Sequence, residues 1–166
     1  MPTSVISDVS EPVPKLRICR IIGGILRRHG IRGAEVCVRI TDDDAVRELN
    51  GAYRRIDRVT DVLSFGYAGG ITPETAAAAV QALQGTLGDI VIAYPTAHRQ
   101  AAARGVATDD ELVHLAAHGC LHLLGYDDDT TEALGAMEAM VYDAMGARGT
   151  VMRRTATGNQ GGVPAQ

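Results

Sequence analysis

The run His114-Leu-Ala-Ala-His118-Gly-Cys-Leu-His122-Leu-Leu-Gly125-Tyr-Asp-Asp128-Asp129 leaves few choices of local structure. Its apolar residues recur at helical spacing. Thr108-x-x-Glu111 just upstream has the spacing of a capping box, so a helix is expected from Thr108 through Leu124. Residues four apart on a helix differ by about 40° in direction and about 6 Å in rise. His118 and His122 therefore point the same way and can pinch one ion. Gly125 tolerates the left-handed backbone that stops a helix and turns the chain back. Asp128, three residues on, can return a carboxylate to the same place. Two imidazoles and a carboxylate with one position left open make a zinc-like site of the catalytic type.

Geometry also sorts the neighbours. His114 stands about 12 Å from His122 in rise, whereas metal–ligand bonds are about 2 Å, so both cannot reach one ion. A core role suits His114 first, with a place behind the ligands or facing substrate left open. Cys120 lies about 200° round the helix from His118 and should face inward. Asp127 and Asp129 could exchange with Asp128, although the register favours Asp128. The same spacing occurs in metzincin peptidases, H-E-x-x-H-x-x-G-x-x-H. Gly119 stands where those enzymes keep a glutamate base, which counts against peptide hydrolysis.

The rest of the chain alternates helical and strand patterns. Val5–Val9 is a candidate first strand. A helix follows Pro12 and Pro14 with Leu16, Cys19, Ile22 and Leu26 on one stripe, ending at Gly30. Ala34–Ile40 alternates as a half-buried strand with Val36, Val38 and Ile40 inward. A second helix, capped by Thr41 or Asp42, runs to about Tyr53. Val62–Tyr67 and Asp89–Tyr94 are further strands, and 69–85 between them holds a possible short helix at Ala76–Ala79. Thr96–Arg104 is helical. A last helix spans about Thr130–Met145, with Leu134, Met137 and Val141 toward the core. The expectation is an α/β (α+β) domain over residues 1–147, a small mixed sheet of about four strands covered by about five helices. The Gly-, Thr-, Gln- and Arg-rich residues 148–166 are expected to form a disordered tail.

Composition narrows the setting. No run approaches a membrane span, and Met1–Glu11 lacks the basic-then-apolar order of a secretory signal. The three cysteines, Cys19, Cys37 and Cys120, form no CxxC pair, which suits reduced thiols in a cytoplasm, each simply buried. The net charge of −4 argues against nucleic acid until it is divided. Residues 1–60 carry eleven Lys and Arg against eight Asp and Glu, and the remainder five against twelve. The acidic excess thus lies downstream, where the cation-binding pattern lies, and the basic half is almost all Arg, whose fork suits phosphate.

Three blocks in order give these patterns a resemblance. They are Leu49-Asn50 through Tyr53-Arg54 to Thr60-Asp61-Val62-Leu63-Ser64-Phe65, then Leu87-Gly88-Asp89-Ile90-Val91-Ile92, then HGCLHLLGYD from His118 to Asp127. Across about residues 35–145 the chain closely resembles the YbeY family of bacterial rRNA maturation factors, metal-dependent endoribonucleases. The resemblance implies a YbeY-like α/β fold in which three histidines hold one zinc ion. His118 and His122 match the first two, while the third falls on Asp128. Val59 and Gly66 stand where the family usually has Pro, which affects only local turns. An anionic third ligand lowers the site's net positive charge and favours tolerance of harder divalent ions.

Arg54 falls on the arginine implicated in cleavage and, with His118, is a catalytic candidate. Its guanidinium would bind a phosphate and offset charge developing on it. Arg55 and Arg58 fit the RNA backbone or solvent, and Asp61, Ser64 and Asp89 fit structural hydrogen bonding. The implied function is single-strand-specific cleavage of rRNA, at the 3′ end of 16S rRNA and in ribosome quality control. The partners would be ribosomal RNA and the small subunit, without membrane or DNA. Two other classes stay open: a non-enzymatic zinc-containing assembly factor and a metallopeptidase-like hydrolase.

Overall fold

The computed structural model describes residues 3–67 and 69–146, so the expected tail at 148–166 lies outside the described residues. Four strands, β1 (Thr3–Ser7), β2 (Glu35–Thr41), β3 (Val62–Gly66) and β4 (Thr86–Ala93), form one sheet in the order β1-β2-β4-β3. β1, β2 and β4 are mutually parallel, and β3 runs antiparallel along the β4 edge. β4 is central and buries side chains on both faces, hence its nearly continuous apolar run, Leu87 and Ile90 to Ala93.

Among the described residues six helices accompany the sheet: α1 (Lys15–Arg28), α2 (Asp43–Arg54), α3 (Ala76–Ala82), α4 (Tyr94–Arg104), α5 (Thr108–Leu123) and α6 (Thr131–Ala144). The sixth, beyond the expected five or so, is the short α3. α2 covers one face, where Val46 packs with Leu63, Val91 and Ala93. α1 and α5 cover the other with Val36, Val38, Ile40, Ile90 and Ile92. α5 is the hub. It touches α1, α4, α6, β3 and β4, and every residue from Glu111 to Leu121 is buried. That is why its sequence is apolar all round rather than striped.

Some local expectations need correction. α1 turns Ile18, Ile22, Ile25 and Leu26 inward, leaving Leu16 74% exposed and Cys19 half-buried. So many apolar residues crowd α1 that two stripes fit the same period, and packing selects the one with more Ile. Cys37 is also only half-buried. Thr108 does not cap α5. The cap is Ala107, and Thr108 is the first helical residue, with its hydroxyl 2.9 Å from His98 Nδ1. Glu111 reaches back to Arg104 at 2.8 Å instead of to the cap. Asp42, one of the two proposed caps of α2, does accept the Ala45 N–H at 2.7 Å, and Thr130 caps α6 in the same way.

Candidate metal centre

The end of α5 is closely packed through two glycines, Gly119 against the sheet and Gly125 against the Ile71–Thr72 backbone. A Cβ on Gly119 would lie 2.8 Å from Ile90 Cγ2 and 3.1 Å from Ser64 Oγ. Ser64 uses the closeness, donating its hydroxyl to the Gly119 carbonyl at 3.1 Å. Gly119 therefore looks into the sheet, where a glutamate could neither fit nor serve as a base. Gly125, at φ +93°, ends the helix with its Cα against the Ile71 backbone, which leaves no room for a side chain. The chain then turns back toward His118 and His122.

That return completes a triangle. His118 Nε2 and His122 Nε2 lie 3.0 Å apart, and Asp128 Oδ2 lies 3.4 and 3.5 Å from them. Ligand bonds of about 2.0–2.1 Å in tetrahedral directions put donor atoms about 3.3–3.4 Å apart. The three atoms thus match three corners of a tetrahedral site. All three side chains are nearly closed to solvent, at 2%, 9% and 4% exposure, and Asp128 Oδ2 makes no hydrogen bond. A buried carboxylate oxygen without a donor is costly unless a cation balances it.

The His122 imidazole is held by its other nitrogen. His122 Nδ1 lies 3.1 Å from the Tyr126 carbonyl, an acceptor only, so Nδ1 carries the hydrogen and Nε2 presents its lone pair. Tyr126 is tied to α1, its hydroxyl 2.7 Å from His29 Nε2, while His29 Nδ1 donates to the Ile25 carbonyl at 2.8 Å. Asp127 and Asp129 are exposed, and Asp127 accepts the N–H of Asp128 at 2.8 Å. Of the acidic trio, Asp128 is the one turned to the histidines. Cys120 faces the core as expected, and burial pushes its thiol up to about 12, so it supplies no thiolate.

His114 is buried but not merely core. Its Nε2 lies 3.3 Å from the carboxylate of Glu138 on α6, whose Oε1 is 4.0 Å from His118 Nδ1. Glu138 is absent from the candidates drawn from sequence. Its signal was present: it sits four residues after Leu134 and three before Val141, an acid beside the apolar stripe of α6.

Arg54 lies elsewhere. It ends α2, on the opposite face of the sheet from α5, and is half-buried. Both helices nevertheless finish at the same end of the edge strand. Tyr53 packs its ring on Phe65 at 5.3 Å, and a Cβ on Gly88, paired with Gly66, would lie 2.7 Å from Leu123. Burial lowers the Arg54 guanidinium below its usual value, though it stays charged at any physiological pH. Asp61 Oδ1 accepts the Val62 N–H, and Asp89 Oδ2 accepts the Tyr67 hydroxyl, both structural tasks.

The family described as Endoribonuclease YbeY matches residues 12–148. The chain belongs to the YbeY family. A relative from Moorella thermoacetica named Endoribonuclease YbeY is 45% identical over 121 residues, 72% of this chain and 77% of the relative. Relatives of the same name from Rhodopseudomonas palustris and Desulforamulus reducens are 46% and 50% identical. Those alignments cover 64% and 60% of this chain but 53% and 62% of the relatives' own length. The fold is shared with TM1509 of Thermotoga maritima, known from a solution structure, with TM-score 0.55 and 21% identity. That match covers 87% of this chain and 89% of the other. Among the described residues of this YbeY-family chain, no helix is long and apolar enough to cross a membrane.

Proposed function

We propose that this chain is a metal-dependent endoribonuclease that cuts single-stranded ribosomal RNA in the cytoplasm. Its work would lie in small-subunit maturation, at the 3′ end of 16S rRNA, and in ribosome quality control. The observation that carries the reading is the buried triangle of His118 Nε2, His122 Nε2 and Asp128 Oδ2 in a chain of this family. Two nitrogens and an oxygen suit zinc, and the carboxylate also admits harder divalent ions.

When bound, such an ion supplies Lewis-acid polarisation at a phosphoryl oxygen and activation of water. The side chains do the rest. His118, His122 and Asp128 would hold the ion. Arg54 meets the phosphate: a partly desolvated guanidinium gains more from an anion than an exposed one, and its fork fixes the phosphate's orientation. Exposed Arg55 and Arg58 offer further contacts to the backbone. Tyr53 and Tyr67, 70% and 54% exposed near the same end of β3, offer ring faces to unpaired bases, which favours single strands.

The peptidase alternative loses support because Gly119 faces Ile90 and Ser64, so no base can stand there. The assembly-factor alternative is separated by experiment. Purified wild type, His118→Ala and Arg54→Ala are incubated with ribosomal RNA, and the fragments are mapped. Cleavage by wild type and its loss in both variants is expected. Identical patterns from all three proteins would leave RNA binding without cutting as the function.

A further inference from the structure

The two histidines of the triangle are held by different kinds of partner, and the difference assigns a task to Glu138. His122 is fixed by a neutral acceptor, the Tyr126 carbonyl on its own loop. His118 turns Nε2 to the triangle and Nδ1 toward α6, where Glu138 Oε1 lies at 4.0 Å. Glu138 is 12% exposed, and His114, itself 5% exposed, lies 3.3 Å from its carboxylate. A carboxylate accepts and does not donate, so His114 Nε2 must carry a hydrogen toward it. The His114 ring is braced edge-on by Tyr142 at 5.6 Å. One imidazole therefore anchors the carboxylate, and the carboxylate faces the ring of a second.

We propose that Glu138 is the positioning residue for His118. Its charge holds the hydrogen on Nδ1, leaves the Nε2 lone pair aimed at the ion and makes that nitrogen a stronger donor. His114, one turn before His118 and unable to reach the ion, keeps the carboxylate in place. This explains why α6 carries a nearly buried acid beside its apolar stripe. It also explains why a third histidine is set into the wall of α5. The inference rests on the metal reading of the triangle, and the test keeps the two apart.

Full-length wild type, Glu138→Gln and Glu138→Ala are compared in two ways. Zinc affinity is measured by competition with a chromophoric chelator. Ring tautomers of His118 and His122 are read by long-range nitrogen–proton NMR after the metal is stripped. Glu138→Ala should weaken zinc by about 10–100-fold, the usual effect of losing such a partner. It should also move the His118 hydrogen from Nδ1 to Nε2 while His122 stays as in wild type. Glu138→Gln keeps the shape and an acceptor oxygen, so it should fall between, and it serves if the alanine variant does not fold. General loosening of the fold would disturb both rings alike. Unchanged affinity with an unchanged His118 tautomer overturns the proposal. If wild type itself takes up no zinc, the metal reading fails, and the tautomer comparison still decides whether Glu138 orients His118.

Discussion

The two ends of α5 treat a buried carboxylate in opposite ways. Near its start, Glu111 is 1% exposed and meets Arg104 of α4 at 2.8 Å. The chain supplies its own cation there, and the charge is settled within the fold. At the other end, Asp128 is 4% exposed and faces Nε2 of two imidazoles at 3.4 and 3.5 Å. Among the described residues no Lys or Arg pairs with Asp128. A fold able to place Arg104 over Glu111 could have placed an arginine over Asp128 as well. It converges three electron-pair donors there instead, which is the arrangement a divalent cation stabilises and a folded core alone does not.

The sharpest way to break this comparison is to damage each end separately. His122→Ala should remove bound metal, dropping elemental analysis from about one divalent ion per chain to background and affinity by more than about 100-fold, beyond the loss of an outer partner. Urea unfolding of the stripped variant should stay near that of stripped wild type. Arg104→Ala should do the reverse. It leaves Glu111 buried with its charge uncompensated, at a cost of about 3 kcal/mol, toward the low end of the usual range because Arg104 is 26% exposed. Metal content should not change. Loss of metal in Arg104→Ala with wild-type stability would show that the two ends are not independent in the way described.

A finer cut is made at Asp128 itself. Asp128→Asn keeps the size and an oxygen but loses the charge, so zinc should bind more weakly than in wild type and more tightly than in His122→Ala. Asp128→His restores the third imidazole that the YbeY resemblance implies. It should hold zinc and discriminate more strongly against manganese and magnesium, because imidazole suits zinc better than harder ions. Competition titrations with the three metals decide this. Equal preference in wild type and Asp128→His would mean that the carboxylate is not in the coordination sphere.

Legibility in the sequence followed the same division. The convergence of His118, His122 and Asp128 could be read from spacing because a helix, a glycine stop and a short return are all local. Strand β2 was readable because period-two alternation is local too, as at Val36, Val38 and Ile40. What could not be read depended on contacts between distant segments. The inward stripe of α1 is chosen by what it packs on, so Leu16 was misplaced. Thr108 lost its capping role because His98 and Arg104, on another helix, offered partners to Thr108 and Glu111. Glu138 is 20 residues beyond His118 by numbering, and only the docking of α6 on α5 brings them together. Arg54 was visible as a motif residue, whereas its place across the edge strand needed the sheet order.

The smallest expected effect tests how far the support behind the triangle extends. His122 is oriented by the Tyr126 carbonyl, a backbone group that substitution leaves in place, whereas the Tyr126 hydroxyl only ties that loop to His29. Tyr126→Phe removes the hydroxyl and keeps the ring that packs edge-on against His29 at 5.5 Å. The cost should be about 1 kcal/mol of stability, one ordinary hydrogen bond, with zinc affinity changed less than about 3-fold, below the usual effect of removing a ligand's direct partner. Thermal unfolding and chelator competition on the same samples measure both. A tenfold or larger loss of zinc would mean that the tie to α1 governs His122 more than the carbonyl does. The carbonyl would then owe its position to His29, and the metal-binding end of α5 would depend on a helix whose own sequence carries no ligand.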